Sequence, residues 1–247
     1  MRTRRGVALI LVLWVLAILG VLGAALSVGV RDGTTLTGNA RAAAQARYAA
    51  ESGVMVAIST VESELEARAE PASRERYLNS LDGALGSLGR GALGEARYAV
   101  TLVDVNARLD VNRASRTQLL RFFNQFAPAS GAAQAAAAID EYRNPDGPRA
   151  RVLRSLDELD GIPGLDAGLI RRAAPFLTVD GDGNINQMTA FPQVLAVAGG
   201  DLRRLPTRLL VISRGWRDGH PLSHELQAVY AVQDDRLALV RWQERGR

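Results

Sequence analysis

The side chains best placed for chemistry lie in one short run, Asp180-Gly181-Asp182-Gly183-Asn184. Two carboxylates and an amide at alternate positions, spaced by glycine, make an oxygen-rich loop suited to a hard divalent cation such as calcium. The run opens as an EF-hand loop does. Ile185 then stands where that loop needs glycine, and Phe191 where it needs a bidentate glutamate, so it is not an EF-hand. The competing reading is a plain Asp/Gly turn. Asp180, Asp182 and Asn184 are therefore the candidate metal ligands, and the rest of the shell is unassigned. The only histidines, His220 and His224, are four apart, but Pro221 between them opposes a helix presenting both. Ser223 beside His224 is not a nucleophile–base pair, because neighbours on a strand point to opposite faces. With no cysteine, the chain has no disulfide, thiolate catalyst or cysteine metal site. No enzyme is expected from these groupings.

A second candidate is Leu159-Asp160-Gly161-Ile162-Pro163-Gly164-Leu165, followed by Leu169-Ile170-Arg171-Arg172. It has the form of a helix-hairpin-helix, whose backbone N–H groups can meet a phosphate. Asp157, Glu158, Asp160 and Asp166 surround the turn and would repel one. Overall charge gives no help. The chain has 30 arginines and no lysine against 26 acids, and without the three arginines of residues 1–6 it has 27 against 26, a net +1. Nucleic acid is not an expected partner.

The elements that must position these groups begin with an apolar run. Residues 7–30 hold no charge, follow Arg2, Arg4 and Arg5, and precede Arg31. As a helix this run reaches about 36 Å at about 1.5 Å per residue, enough for a hydrocarbon core of about 30 Å. The arginines place its N-terminal side in the cytoplasm and the rest of the chain outside. A secretory signal cut near Gly23-Ala24-Ala25 and a plain membrane anchor are the simpler alternatives.

Beyond it, 31–69 reads as a continuing helix with an apolar stripe at Val54, Ile58, Val61 and Leu65, extended toward the membrane by Leu36, Ala40, Ala43 and Ala50. Glu64 and Arg68 form an i,i+4 pair, and Pro71 is the expected stop. A juxtamembrane coiled-coil stalk is the competing reading, though the stripe is short and rich in alanine. Residues 71–95 read as a loop with one short helix, 97–104 as a strand and 108–111 as a second short one. From 112 to 178 the texture is helical. A capping box at Ser115 to Gln118 opens one helix, 132–142 form another, 144–148 a turn, and 153–159 and 165–176 two more. Asp110-Val111-Asn112-Arg113-Ala114-Ser115 is echoed by Asn184-Ile185-Asn186-Gln187-Met188-Thr189, which a strand end, an Asn turn and a Ser/Thr cap explain in both places. Strands return at 208–213, 225–232 and 236–242, with turns at 214–223 and 233–235; their short connections predict antiparallel neighbours. The fold class is α+β, a small antiparallel head whose sheet is interrupted by a helical insert.

Arg4-Arg5-Gly6-Val7-Ala8-Leu9-Ile10 resembles the prepilin peptidase site of type IV pilins and type II secretion pseudopilins. Most of those proteins carry Glu where this chain has Leu11. An unpartnered carboxylate in the membrane costs roughly 2.5–3.5 kcal/mol, and its loss resembles the minor pseudopilin called general secretion pathway protein K, as does the run through Trp14. Gln45-Ala46-Arg47-Tyr48-Ala49-Ala50-Glu51-Ser52-Gly53 and the two Asn-x-Asn-x-x-Ser/Thr segments are similar to that family as well.

The resemblance implies a pseudopilin (type IV pilin-like) fold: a cleaved leader 1–6, a transmembrane helix 7–30, its periplasmic continuation 31–69, a first part of the head 70–111, an inserted all-α domain 112–203 and C-terminal strands 204–247. It implies cleavage between Gly6 and Val7 by prepilin peptidase, N-methylation, and a single pass through the inner membrane with the head in the periplasm. It also implies calcium in the general region of the Asp/Gly loop. The expected partners are minor pseudopilins of the I and J types, which this subunit would join at the pseudopilus tip in support of protein export. Val54, Ile58 and Val61 are the residues expected to pack the helix, against either a partner or the sheet. The alternative function is a membrane-anchored extracytoplasmic module using the hairpin for DNA.

Overall fold

The computed structural model describes residues 4–81, 89–144, 151–200 and 202–246, with the backbone alone at 4–11, 22–35, 245 and 246. Residues 1–3 of the leader and the turn at 145–150 thus lie outside the described residues, as do the side chains of the rest of the leader, of Val7 and of the apolar run except 12–21. Among those described, no helix is long and apolar enough to cross a membrane.

Helix α1 (Arg4–Glu66) runs for 63 residues, a contour of roughly 95 Å at about 1.5 Å per residue. Its outer part exposes Leu13, Trp14, Leu16 and Leu19. From Ala42 on, one face is buried: Ala42, Ala46, Ala49, Ala50, Val54, Ala57, Val61 and Leu65 are all at most 1% exposed. Leu36, Ala40 and Ala43, expected on this face, are instead exposed. The apposed sheet fixes which alanines are used. A Cβ at Gly215 would lie 2.0 Å from the Ala46 carbonyl oxygen and 2.5 Å from the Ala50 nitrogen, and one at Gly53 would lie 2.4 Å from Ser213 Oγ. Small residues on both sides bring helix and sheet backbones into direct contact. Of the two roles open to Val54, Ile58 and Val61, the structure displays packing on the head's own sheet. Val54 and Val61 are in its core with Leu102, Leu209, Val211 and Leu226, and Ile58 packs against that core.

The helix ends at Glu66, short of the expected 69. Arg68 pairs with Glu64 and lies 4.3 Å from the Tyr77 ring centroid. Pro71 does not merely follow the helix; it opens α2 (Pro71–Asn79) in the first turn, where its missing N–H is harmless.

The sheet is antiparallel, in the order β1-β2-β7-β8-β9. Its strands are β1 (Arg90–Leu93), β2 (Ala96–Asp104), β7 (Arg208–Arg217), β8 (Ser223–Gln233) and β9 (Arg236–Gly246). β1 falls where a loop was expected. The expected 214–223 turn shrinks, because Gly215 and Trp216 continue the ladder against Tyr98 and Arg97 on one side and His224 and Ser223 on the other. The β8–β9 turn has Asp234 at φ 52°, a left-handed conformation that aspartate tolerates.

Between β2 and β7 the chain builds a second core. It contains α3 (Arg116–Phe123), α4 (Ala129–Arg143), α5 (Ala167–Ala173) and α6 (Pro192–Leu195), with 3₁₀ turns at Leu156–Gly161 and Ala174–Phe176. The Ser115–Gln118 capping box forms in both directions. All five phenylalanines join in one chain of ring contacts, Phe123–Phe122–Phe126–Phe176–Phe191, with centroids 5.1–5.5 Å apart. Two expectations change here. The helix at 153–159 is the 3₁₀ turn, where Asp160 and Gly161 lead into a left-handed Gly164. The segment is also not purely helical. β3 (Leu109–Asp110) pairs in parallel with β4 (Leu177–Thr178), and β5 (Ile185–Asn186) with β6 (Leu202–Arg203). The first ladder ties the start of the segment to residues 177–178, and the second ties 185–186 to its end.

Candidate functional site

The polar side chains converge where the inserted segment leaves and rejoins the sheet. β2 ends at Asp104, whose Oδ1 accepts from the Asn106 N–H at 2.8 Å and caps the 3₁₀ turn Val105–Ala107. Asn106 is 1% exposed. Its amide nitrogen donates to Asp182 Oδ1 (2.9 Å) and to the Asn184 carbonyl (3.0 Å). Its amide oxygen accepts from the backbone N–H groups of Thr207 (2.9 Å) and Arg208 (2.8 Å), with Thr207 Oγ1 3.1 Å away. One side chain thereby joins the end of β2, the Asp/Gly loop and the start of β7.

The echoed asparagines do related work. Asn112 donates to the carbonyls of Leu153 and Val179 and accepts from the Leu153 N–H, so it brackets a distant strand-like segment. Asn186, fully buried, donates to Asp104 Oδ2 (2.7 Å) and Asn79 Oδ1 (2.8 Å) and accepts from the Met188 N–H. The echo is only partial at its last position. Ser115 caps α3, whereas Thr189 donates its hydroxyl to Asp104 and α6 starts at Pro192 after Phe191.

The structure places Asp180, Asp182 and Asn184 in one loop, held chiefly by protein donors. Asp182 Oδ1 accepts from Asn106 and from the Asn184 N–H (3.1 Å), and its Oδ2 accepts from Thr207 Oγ1 (2.7 Å). Burial works to raise its pKa, but these hydrogen bonds outweigh it and hold the carboxyl below the ordinary carboxylate range. Asp180 Oδ2 accepts from Arg241 Nη2 at 2.7 Å. Its burial pushes the carboxyl up, against the opposing pull of Arg241 and Arg208. Arg208 Nη1 donates to the carbonyls of Asp180 and Gly181, both at 2.8 Å. Gly181 is required, since a Cβ there would lie 2.9 Å from Asp110 Oδ2. Asp110 is buried and its pKa is raised by that burial; Arg113 is 3.8 Å from its Oδ2, which has no hydrogen-bond partner.

Calcium takes six to eight oxygen ligands. Here the Asp182 oxygens, one Asp180 oxygen and three loop carbonyls face N–H or O–H donors, and two guanidinium groups border the loop. One orphaned oxygen, on Asp110, does not make a shell. Among the described residues no group of three or more histidines, cysteines or acids is arranged to hold a metal. In this geometry the residues do not fit a resident cation.

The remaining candidates have local partners. His220 Nε2 is 3.2 Å from Asn39 Oδ1, and His224, on β8, lies 3.5 Å from Glu244. At the hairpin, Asp166 caps α5 through the Leu169 N–H (2.6 Å), so that helix start already faces a carboxylate, and Glu158 accepts from the Arg154 N–H. Sequence reasoning missed Asn106, Thr207, Arg208 and Arg241. The signal for Asn106 was available in Asp104-Val105-Asn106, an Asx turn placed just where a strand runs out.

No family profile matches the chain, and no curated protein matches it. Among solved structures, it is similar to a chain of the GspK-GspI-GspJ complex from the enterotoxigenic Escherichia coli type 2 secretion system. The TM-score is 0.62 at 14% identity, over 84% of this chain and 98% of that one. The likeness is one of fold: a pseudopilin-like arrangement of a long helix on an antiparallel sheet.

Proposed function

We propose that this chain is a minor pseudopilin of type II secretion, of the general secretion pathway protein K type. The observation that supports it most is the order of parts. One N-terminal helix lies on an antiparallel sheet, a second core is inserted between β2 and β7, and the match extends over 98% of a chain from a minor pseudopilin complex. The N-terminal sequence adds support, with arginines and Gly6 directly abutting an apolar run that lacks an acid at Leu11. In this reading prepilin peptidase cuts between Gly6 and Val7, the new N-terminus is methylated, and 7–30 holds the chain in the inner membrane with the head in the periplasm. The subunit joins I- and J-type minor pseudopilins. The inserted segment, 112–203, stands above them, hinders stacking of a further subunit and so caps the tip. Its contribution is structural, with no catalysis.

Intact-mass and peptide mapping of the chain from cells with and without the peptidase test the processing step. The expected mature form begins at Val7 in the first and at Met1 in the second. A form beginning near Leu26, or an intact Met1 in both, contradicts it.

A further inference from the structure

The residues that a calcium loop would offer are present in 180–184, but the Asp180 carboxylate and the carbonyls of Asp180 and Gly181 face arginines, and Asp182 and the Asn184 carbonyl face Asn106 and Thr207. We infer that Arg208 and Arg241 take the place of a bound cation there, so that the inserted segment is latched to the sheet by the chain's own guanidinium groups and without metal.

The backbone carbonyls of residues 180 and 181 are the kind of oxygen that completes a calcium shell. Both instead accept from Arg208 Nη1. The carboxylate that would neutralise the ion, Asp180, pairs with Arg241 at 2.7 Å and is mostly buried. Two fixed positive charges beside the loop repel a divalent ion placed among them. Arg241 reaches further, since its Nη1 donates to the carbonyl of Arg154 at 2.7 Å. One planar guanidinium thus holds two separate parts of the inserted segment, 154 and 180, onto β9, while Arg208 holds the loop onto β7. This forked reach suits arginine and not lysine. The latch is complete within one chain, and its geometry is independent of the role proposed in secretion.

Thermal unfolding of the full chain in detergent, in millimolar calcium chloride and in EGTA, tests the inference. A ligand that binds the folded state raises Tm, so the wild type is expected to show the same Tm in both. A higher Tm in calcium overturns the proposal. Replacing both arginines (Arg208→Gln with Arg241→Gln) is expected to lower Tm by roughly 5 °C in either buffer; an unchanged Tm overturns it too. The wild-type comparison needs no variant, so the proposal stays open to refutation even where the double variant does not fold. In that case Arg241→Lys, which keeps charge but loses the fork, is expected to lower Tm, and an unshifted value counts against the latch.

Discussion

Replacing Gly215 with alanine is expected to destabilise the head by about 3 kcal/mol or more, at the upper end of what overpacking usually costs. The added methyl would meet backbone, with Ala46 O at 2.0 Å and Ala50 N at 2.5 Å. A flexible side chain could swing away from such a contact, but helix backbone cannot. The whole of α1 would have to lift from β7, and the stripe from Ala50 to Leu65 would lose contact with Leu102, Leu209 and Val211 together. Against a usual total stability of about 5–15 kcal/mol, that is a large share. Gly38→Ala is the control. It lies on the same helix with nothing within 4 Å of the new methyl, so it is expected to be neutral or to stabilise by about 0.5–1 kcal/mol through helix propensity. Urea denaturation of the two variants checks this. Equal midpoints would mean that α1 does not lie on β7 as described.

The second large effect is expected at Asn106. Asn106→Leu keeps the approximate size and removes every hydrogen bond of the amide. The Thr207 and Arg208 N–H groups and the Asn184 carbonyl lose the partner described for them, and Asp182 keeps fewer donors. Buried groups stripped of partners cost about 1–3 kcal/mol each, and the expected loss is about 3–5 kcal/mol. Asn106→Asp separates polarity from charge. Its oxygens can still accept from Thr207 and Arg208, but a carboxylate now faces Asp182 where an N–H did. In the wild type, Asp182 has a lowered folded pKa, so its stabilisation is present above the ordinary carboxylate range and is lost as the pH falls through that lowered value. In Asn106→Asp the paired carboxylates raise the folded pKa of the pair. Stability is then gained as pH falls from neutral into the carboxylate range, the opposite slope. Denaturation midpoints at neutral and mildly acidic pH check the sign. Parallel pH slopes in the two proteins would mean that Asn106 does not face Asp182.

What could be read from the sequence follows how local each signal is. The stripe of Val54, Ile58, Val61 and Leu65 repeats at helical spacing, and the structure puts it on one packed face. Ser115 and Gln118 sit three apart, and their capping box needs no distant partner. The three C-terminal strands follow from β-branched and aromatic runs, and each is longer in the structure because ladder partners extend it past its own sequence signal. Long-range features carry no such periodicity. Nothing near Gly215 reveals that Ala46 lies above it. The parallel ladder of Leu109 with Leu177 joins residues with no shared local pattern. The Asp/Gly loop was legible as a site because its oxygens are adjacent. Its occupants were not, because Arg208 and Arg241 arrive from 28 and 61 residues away. Thr189 shows the same limit, since a hydroxyl expected at a helix cap is drawn off by Asp104 across the junction.

The most direct measurement is co-purification of the full chain, expressed in membranes together with I- and J-type minor pseudopilins from the same secretion system and tagged on one of those partners. The account predicts a ternary complex that elutes as one species and is retained by Asp182→Ala in proportion to the protein that remains folded. A folded, membrane-extracted chain that never travels with either partner would contradict it.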